Sequence, residues 1–201
     1  MRTLRRLAFT VIAAAAFASP AAAAVTHVVN FDDLPGAGVL ADGYGGVNWN
    51  SDFTYDSVPY PGFPAASGLG KVYANYAKHR PPGTGFMIMN FLGGDVQFNG
   101  ASFSGSASPL RFDLYLDGRK VGSSMEATSS PTATFLASGY GGLVDEVRLF
   151  GSHGNWVMDD FTYTTGISSA VPEPAAWAMM IIGFGAAGTM VRSARRRMAI
   201  A

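Results

Sequence analysis

Residues 110–125 read LRFDLYLDGRKVGSSM. Leu110–Leu116 and Lys120–Met125 are two short strand candidates, and Asp117-Gly118 between them is a strong hairpin signal, because a tight two-residue turn needs side chains that accept positive φ. The pattern repeats outward in both directions. On the N-terminal side lie Val25–Phe31, Val47–Trp49, Phe53–Tyr55, Lys71–Ala77, Gly85–Phe91 and Val96–Phe103; on the C-terminal side, Thr132–Leu136, Val144–Phe150 and Asn155–Thr164. Gly, Pro, Ser and Asn punctuate them, and nothing between residues 25 and 170 sustains a helical period for ten residues. Val58–Ser67, with Pro59, Pro61 and Pro64, cannot hold a central strand and reads as a long surface loop. Ten or so short strands at regular spacing predict an all-β chain, an antiparallel β-sandwich of jelly-roll type.

The two ends differ from this middle. Arg2, Arg5 and Arg6 precede an apolar stretch, Leu7–Ala18, and Ala22–Ala24 offer a small-residue cleavage site, so residues 1–24 read as a secretory signal peptide. Cleavage two or three residues earlier fits the alanine run equally well. Residues 171–201 read VPEPAAWAMMIIGFGAAGTMVRSARRRMAIA. Ala175–Val191 is an uncharged run of 17 residues, at the short end of the roughly 17–25 that span a bilayer core as one helix. Trp177 suits the headgroup layer, and Arg192, Arg195, Arg196 and Arg197 mark a cytoplasmic end. One short C-terminal transmembrane helix is therefore expected, with its N-terminal side outside.

Pro172-Glu173-Pro174, Trp177, the Gly-Phe-Gly-containing apolar run and Arg195, Arg196 and Arg197 together resemble the PEP-CTERM sorting signal in its PEPxxWA variant. That resemblance implies an exosortase-type membrane protease as partner, transient anchoring in the inner membrane, and delivery to the cell surface or extracellular matrix of a Gram-negative bacterium that makes exopolysaccharide. An ordinary anchor helix is the alternative. The implied layout is a signal at 1–24, a sandwich domain at 25–165, a linker at 166–171 and the sorting signal at 172–201. FDDL (31–34), GYGGVNW (43–49) and WVMDDFTY (156–163) resemble a recurring type of exported domain of this class, which implies a lectin-like or carbohydrate-binding-module-like sandwich.

Neutrality of the whole chain hides an acidic domain. Three basic residues lie in the signal and four in the tail, leaving seven against thirteen acids between residues 25 and 170. Nucleic acid and anionic lipid are poor partners for such a surface. With no cysteine, thiol catalysis and cysteine-ligated metals are excluded. His27, His79 and His153 share no ligand spacing, His27 fits a packed strand position, and GxSxG is missing, so no catalytic residues are assigned. Paired carboxylates could still cleave glycosides, which keeps a hydrolase as the least favoured alternative.

Aromatics are the more informative feature. Tyr44, Trp49, Tyr60 and Phe63 stand in a stretch rich in Gly, Pro and Asn, and flat rings beside amide and carboxylate groups suit sugar faces and hydroxyls. Core packing is the competing role for about half of the aromatics there; Tyr60 and Phe63, inside the proline loop, fit it least. The Gly-Tyr-Gly-Gly copies at 43–46 and 139–142 read as turns. A non-enzymatic polysaccharide-associated or carbohydrate-binding protein is the expectation, with a self-assembling structural protein as the other possibility.

Strand parity suggests one further site. Asp159 shares the face of Val157, Phe161 and Tyr163, and Asp33 shares that of Val25, Val29 and Phe31. If first and last strands are neighbours, Asp33 and Asp159 could converge and hold a structural Ca²⁺. The alternative is that both acids lie at strand ends, capping turns or facing water.

Overall fold

A computed structural model describes residues 23–75, 85–167, and in the tail 178–186, 188, 189 and 192. The described residues up to Ile167 belong to one compact unit. Among the described residues thirteen strands build this unit. In chain order they are β1 (Val25–Val29), β2 (Ala37–Val39), β3 (Val47–Asn48), β4 (Phe53–Asp56), β5 (Lys71–Ala74), β6 (Phe86–Phe91), β7 (Gln97–Gly105), β8 (Pro109–Leu116), β9 (Arg119–Ser123), β10 (Ala127–Thr128), β11 (Thr134–Ala137), β12 (Glu146–Gly151) and β13 (Trp156–Thr165). The hairpin expected at Asp117-Gly118 joins β8 to β9, with both residues at positive φ. β2 and β10 were not expected; at three and two residues they are too short to leave a periodic signal.

Among the described residues every pairing is antiparallel. One sheet runs β11-β7-β13-β5-β4-β2 with β1 also on β13, and the other runs β10-β8-β12-β6-β3 with β9 also on β8. Their inner faces meet through rings: Phe98 and Phe103 of the first sheet lie 4.8 and 5.6 Å from Phe112 of the second. This is the antiparallel jelly-roll-type sandwich that the strand spacing predicts. First and last strands do pair, from Val25 opposite Thr165 to Val29 opposite Phe161.

β13 is the strand on which the larger sheet is organised. β7 runs along one side, while the other side is divided between β5, at Met158 opposite Val72, and β1, at Phe161–Thr165. Trp156 and Met158 face the core, yet so do Phe161 and Tyr163, which strict alternation forbids. A bulge resolves the conflict. Two residues of β13 fall between Asp159 opposite Ser102 and Thr162 opposite Gly100, where β7 has one, and Asp160 adopts φ 48. The bulge therefore corrects the parity expectation: Val157 and Asp159 lie on the outer face of the sheet, not with Phe161 and Tyr163.

In the tail, residues 178–186 are helical and lie inside the expected apolar run, with Met179, Ile181 and Phe184 exposed. Among the described residues no helix is long and apolar enough to cross a membrane. Pro172, Glu173, Pro174, Trp177 and the three arginines at 195–197 lie outside the described residues, as does His79.

Candidate functional site

The proline loop does more than cross the surface: it folds back over the outer face of the larger sheet. Three aspartates hold it there. Asp159 Oδ2 accepts the Ala66 and Ser67 N–H groups, each at 2.8 Å, and Asp160 Oδ1 accepts the Ser67 hydroxyl at 2.8 Å. Asp32 Oδ1 accepts the N–H groups of Leu69 at 2.9 Å and Gly70 at 2.8 Å. From β7, the Ser104 hydroxyl donates to the Pro64 carbonyl at 2.6 Å. Asp32 of FDDL and both acids of WVMDDFTY are thus the clasp of this loop. Sequence reasoning missed that role because the bond partners lie some 37 to 93 positions apart in the chain.

Close approach of backbones completes the clasp. A Cβ on Gly70 would stand 2.3 Å from the Phe31 carbonyl carbon and oxygen, and one on Gly68, at φ +44, would stand 2.1 Å from Asp32 Oδ1. Phe31 itself is fully buried at φ 57, a conformation that bulky residues avoid and that surrounding structure must enforce. Its ring supplies that enforcement by packing on Tyr44 and Trp49, each at 5.7 Å between centroids.

Two of the expected ligand residues come together. Tyr60-Pro61-Gly62-Phe63 closes a turn, with the Phe63 N–H donating to the Tyr60 carbonyl at 3.0 Å and Gly62 at φ 83. Proline and then glycine at the central positions is what a type II turn requires, and it sets the Tyr60 and Phe63 rings edge-to-face 5.8 Å apart. They border a cleft of about 340 Å³ with Asp56, Lys71, Tyr73 and Val157. The sheet positions these four. Asp56 is opposite Lys71 and Thr54 opposite Tyr73, so with Val72 in the core both Lys71 and Tyr73 point outward. Tyr60 is 66% exposed, and Tyr73 is half-buried beside it. Behind the loop, Tyr60, Phe63 and Lys71 also line a second hollow of about 510 Å³.

The other two aromatics have different roles. Trp49 is fully buried, edge-on to Phe53 and Phe161 at 5.3 Å, and its Nε1 donates to the Tyr44 carbonyl at 2.9 Å. It is a core residue, and its place in the expected ligand set is corrected: an indole with no face open cannot stack on a sugar. Tyr44 lies in a separate groove of about 570 Å³ with His27, Asp33 and Tyr163. Its hydroxyl donates to Asp33 Oδ1 at 2.5 Å, and burial, reinforced by that carboxylate, holds its pKa far above the usual phenol range. His27 stacks on Tyr163 at 4.9 Å, with Nε2 3.0 Å from the Thr165 hydroxyl.

The expected cation pair also reads differently. Asp33 is an exposed turn residue bonded to Tyr44, whereas Asp159 is buried and both of its oxygens accept N–H groups, Oδ1 that of Asp160 at 2.6 Å. An oxygen ringed by donors presents hydrogens to an incoming cation. Among the described residues no group of three acids or histidines is arranged to hold a metal ion. Burial pushes the Asp159 pKa up to about 6, outweighing the backbone N–H bonds that favour the anion.

No curated protein matches the sequence. Among solved structures, a chain described as "Carbohydrate binding module family29" superposes with a TM-score of 0.40 at 11% identity, covering 76% of this chain and 99% of that one. A likeness at that level leaves any functional reading of the sandwich to its own side chains. The tail is more decisive: residues 170–197 match the PEP-CTERM protein-sorting motif, so the chain carries a sorting signal and is an exported protein.

Proposed function

We propose that the sandwich is a non-enzymatic glycan-binding module of the cell surface or extracellular matrix, with its site in the cleft between the proline loop and the outer face of the larger sheet. One observation carries this reading: the Tyr60–Phe63 ring pair stands at the cleft mouth with Tyr60 largely in solvent, on a loop fixed by bonds to three aspartates. Exposed rings contribute little to folding, whereas rigid rings lose little entropy when a sugar face stacks on them. Asp56 and Lys71 beneath them supply an acceptor and a donor for hydroxyl groups.

Under the same reading, residues 1–24 are removed on export, 25–165 form the mature module and 166–171 link it to the sorting signal. An exosortase-type protease then acts near Pro172 after transient insertion in the inner membrane. The ligand is an exopolysaccharide or another surface glycan. The test is Tyr60→Ala with Phe63→Ala, read by polysaccharide pull-down and thermal melting together. Binding should fall at least tenfold while the melting temperature moves by no more than a degree or two. A large drop in melting temperature, or unchanged binding, refutes the assignment.

A further inference from the structure

Lys71 is the unusual residue of the cleft. It is only 3% exposed, and among the described residues its ammonium has one partner, the Val58 carbonyl at 2.6 Å. Among the described residues no carboxylate lies within ion-pair distance of it. The nearest acid by register is Asp56, directly across the strand pair, but its Oδ1 accepts the Val58 N–H in a local turn. An ammonium carries three donors, so Lys71 brings two unused N–H groups and a full positive charge to a site walled by Tyr60, Phe63 and Tyr73. Removing such a charge from water without an anionic partner is costly, and a ligand that supplies the anion relieves that cost. The domain as a whole is acidic, so its overall field would not recruit an anionic chain; the preference is local to this cleft.

Resting on the glycan reading above, we propose that this site selects acidic polysaccharide, with Lys71 binding the carboxylate of a uronate residue whose ring stacks on Tyr60 and Phe63. The carboxylate of a uronic acid projects from the ring edge, so a sugar whose face lies on the aromatic pair can direct it toward the cleft floor. Because Tyr60, Phe63 and Lys71 also line the second hollow, a neighbouring sugar of the same chain has room beside the ring pair.

The experiment measures binding of the full-length protein in detergent micelles to hexagalacturonate, to its methyl ester, which keeps the shape and removes the charge, and to free galacturonate. The acid hexamer should bind at least tenfold tighter than the ester. Lys71→Met should bring the two to equal affinity, and Lys71→Arg, which keeps the charge, should preserve the preference. Loosening of the loop alone would weaken acid and ester alike and leave their ratio intact, which overturns the proposal. An ester that binds as well as the acid also overturns it while leaving the glycan reading standing; binding to none of the three probes overturns it too, and the glycan reading is then decided by the polysaccharide pull-down alone. Free galacturonate binding as tightly as the hexamer assigns the site to a soluble sugar acid and overturns the polysaccharide assignment.

Discussion

Replacing Asp159 by asparagine should stabilise the protein at neutral pH and remove part of its pH dependence. Asp159 accepts the N–H groups of Ala66, Ser67 and Asp160 within 2.8 Å, bonds that favour the anion, yet its pKa is raised from an ordinary 3.8 to about 6 because burial of the charge outweighs them. A carboxyl whose folded-state pKa exceeds its unfolded value contributes stability that is fully present below pH 3.8 and is lost as pH rises through 6. About two pH units at ~1.4 kcal/mol each put that loss at about 3 kcal/mol between pH 4 and pH 7. Asparagine does not titrate and keeps a carbonyl oxygen for the Ala66 and Ser67 N–H groups; its amide nitrogen replaces Oδ1 and gives up the Asp160 bond, a loss of about 1 kcal/mol that offsets part of the gain. Asp159→Ala, by contrast, leaves both loop N–H groups without an acceptor and should cost about 2–4 kcal/mol at pH 4, and less at pH 7 by the same ~3 kcal/mol, because alanine also removes the buried charge. Urea unfolding followed by tryptophan fluorescence, at intervals from pH 4 to pH 7, measures all three proteins. The reasoning fails if wild type and Asp159→Asn show the same slope of stability against pH, or if asparagine is as damaging as alanine at pH 7.

Gly70→Ala places a methyl group 2.3 Å from the Phe31 backbone; it should cost about 2–4 kcal/mol and release the loop, seen as faster amide exchange at Ala66–Gly70 and refuted by unchanged protection. Trp49→Ala should cost about 3–5 kcal/mol in chemical denaturation, as a core cavity does; a loss under 1 kcal/mol with impaired glycan binding would instead restore Trp49 to the ligand set. Excess Ca²⁺ and EDTA should give the same melting temperature, since N–H donors fill the Asp159 carboxylate; a higher value in Ca²⁺ that Asp159→Asn abolishes would establish the cation at Asp33 and Asp159. Intact mass of surface-extracted protein should show a mature chain lacking residues 1–24 and everything beyond the Pro172 region, whereas a species still ending at Ala201 would leave a plain membrane anchor.

The sandwich was legible because most of its strands are long enough to show period two, and Asp117-Gly118 names its own turn. The Tyr60–Phe63 pair was legible for the same local reason, since Pro61-Gly62 sets the turn that joins the rings. What the sequence concealed is non-local. The bulge at Asp160 reverses the facing of every residue on one side of it, and no residue type near it announces the extra position, so Asp159 reads as inward when it is outward. Trp49 and Tyr60 look equally suited to a sugar, and only burial against Phe31, Phe53 and Phe161 separates them. Lys71 was overlooked because its place opposite Asp56 depends on a strand pairing that spans the whole proline loop.

The position of β13 bears on how an exported chain matures. The last strand of the described sandwich is an interior one, inserted between β7 on one flank and β1 and β5 on the other. Until Trp156–Thr165 has crossed the membrane, the first strand has no neighbour and the larger sheet stands open in two halves. The described strands N-terminal to β13 therefore cannot close the larger sheet by themselves. β13 ends within a few residues of the sorting motif at 170–197, so the segment that completes the larger sheet is also the one next to the signal. A stop codon placed before Trp156 should consequently yield an unfolded, protease-sensitive product, not a smaller stable domain.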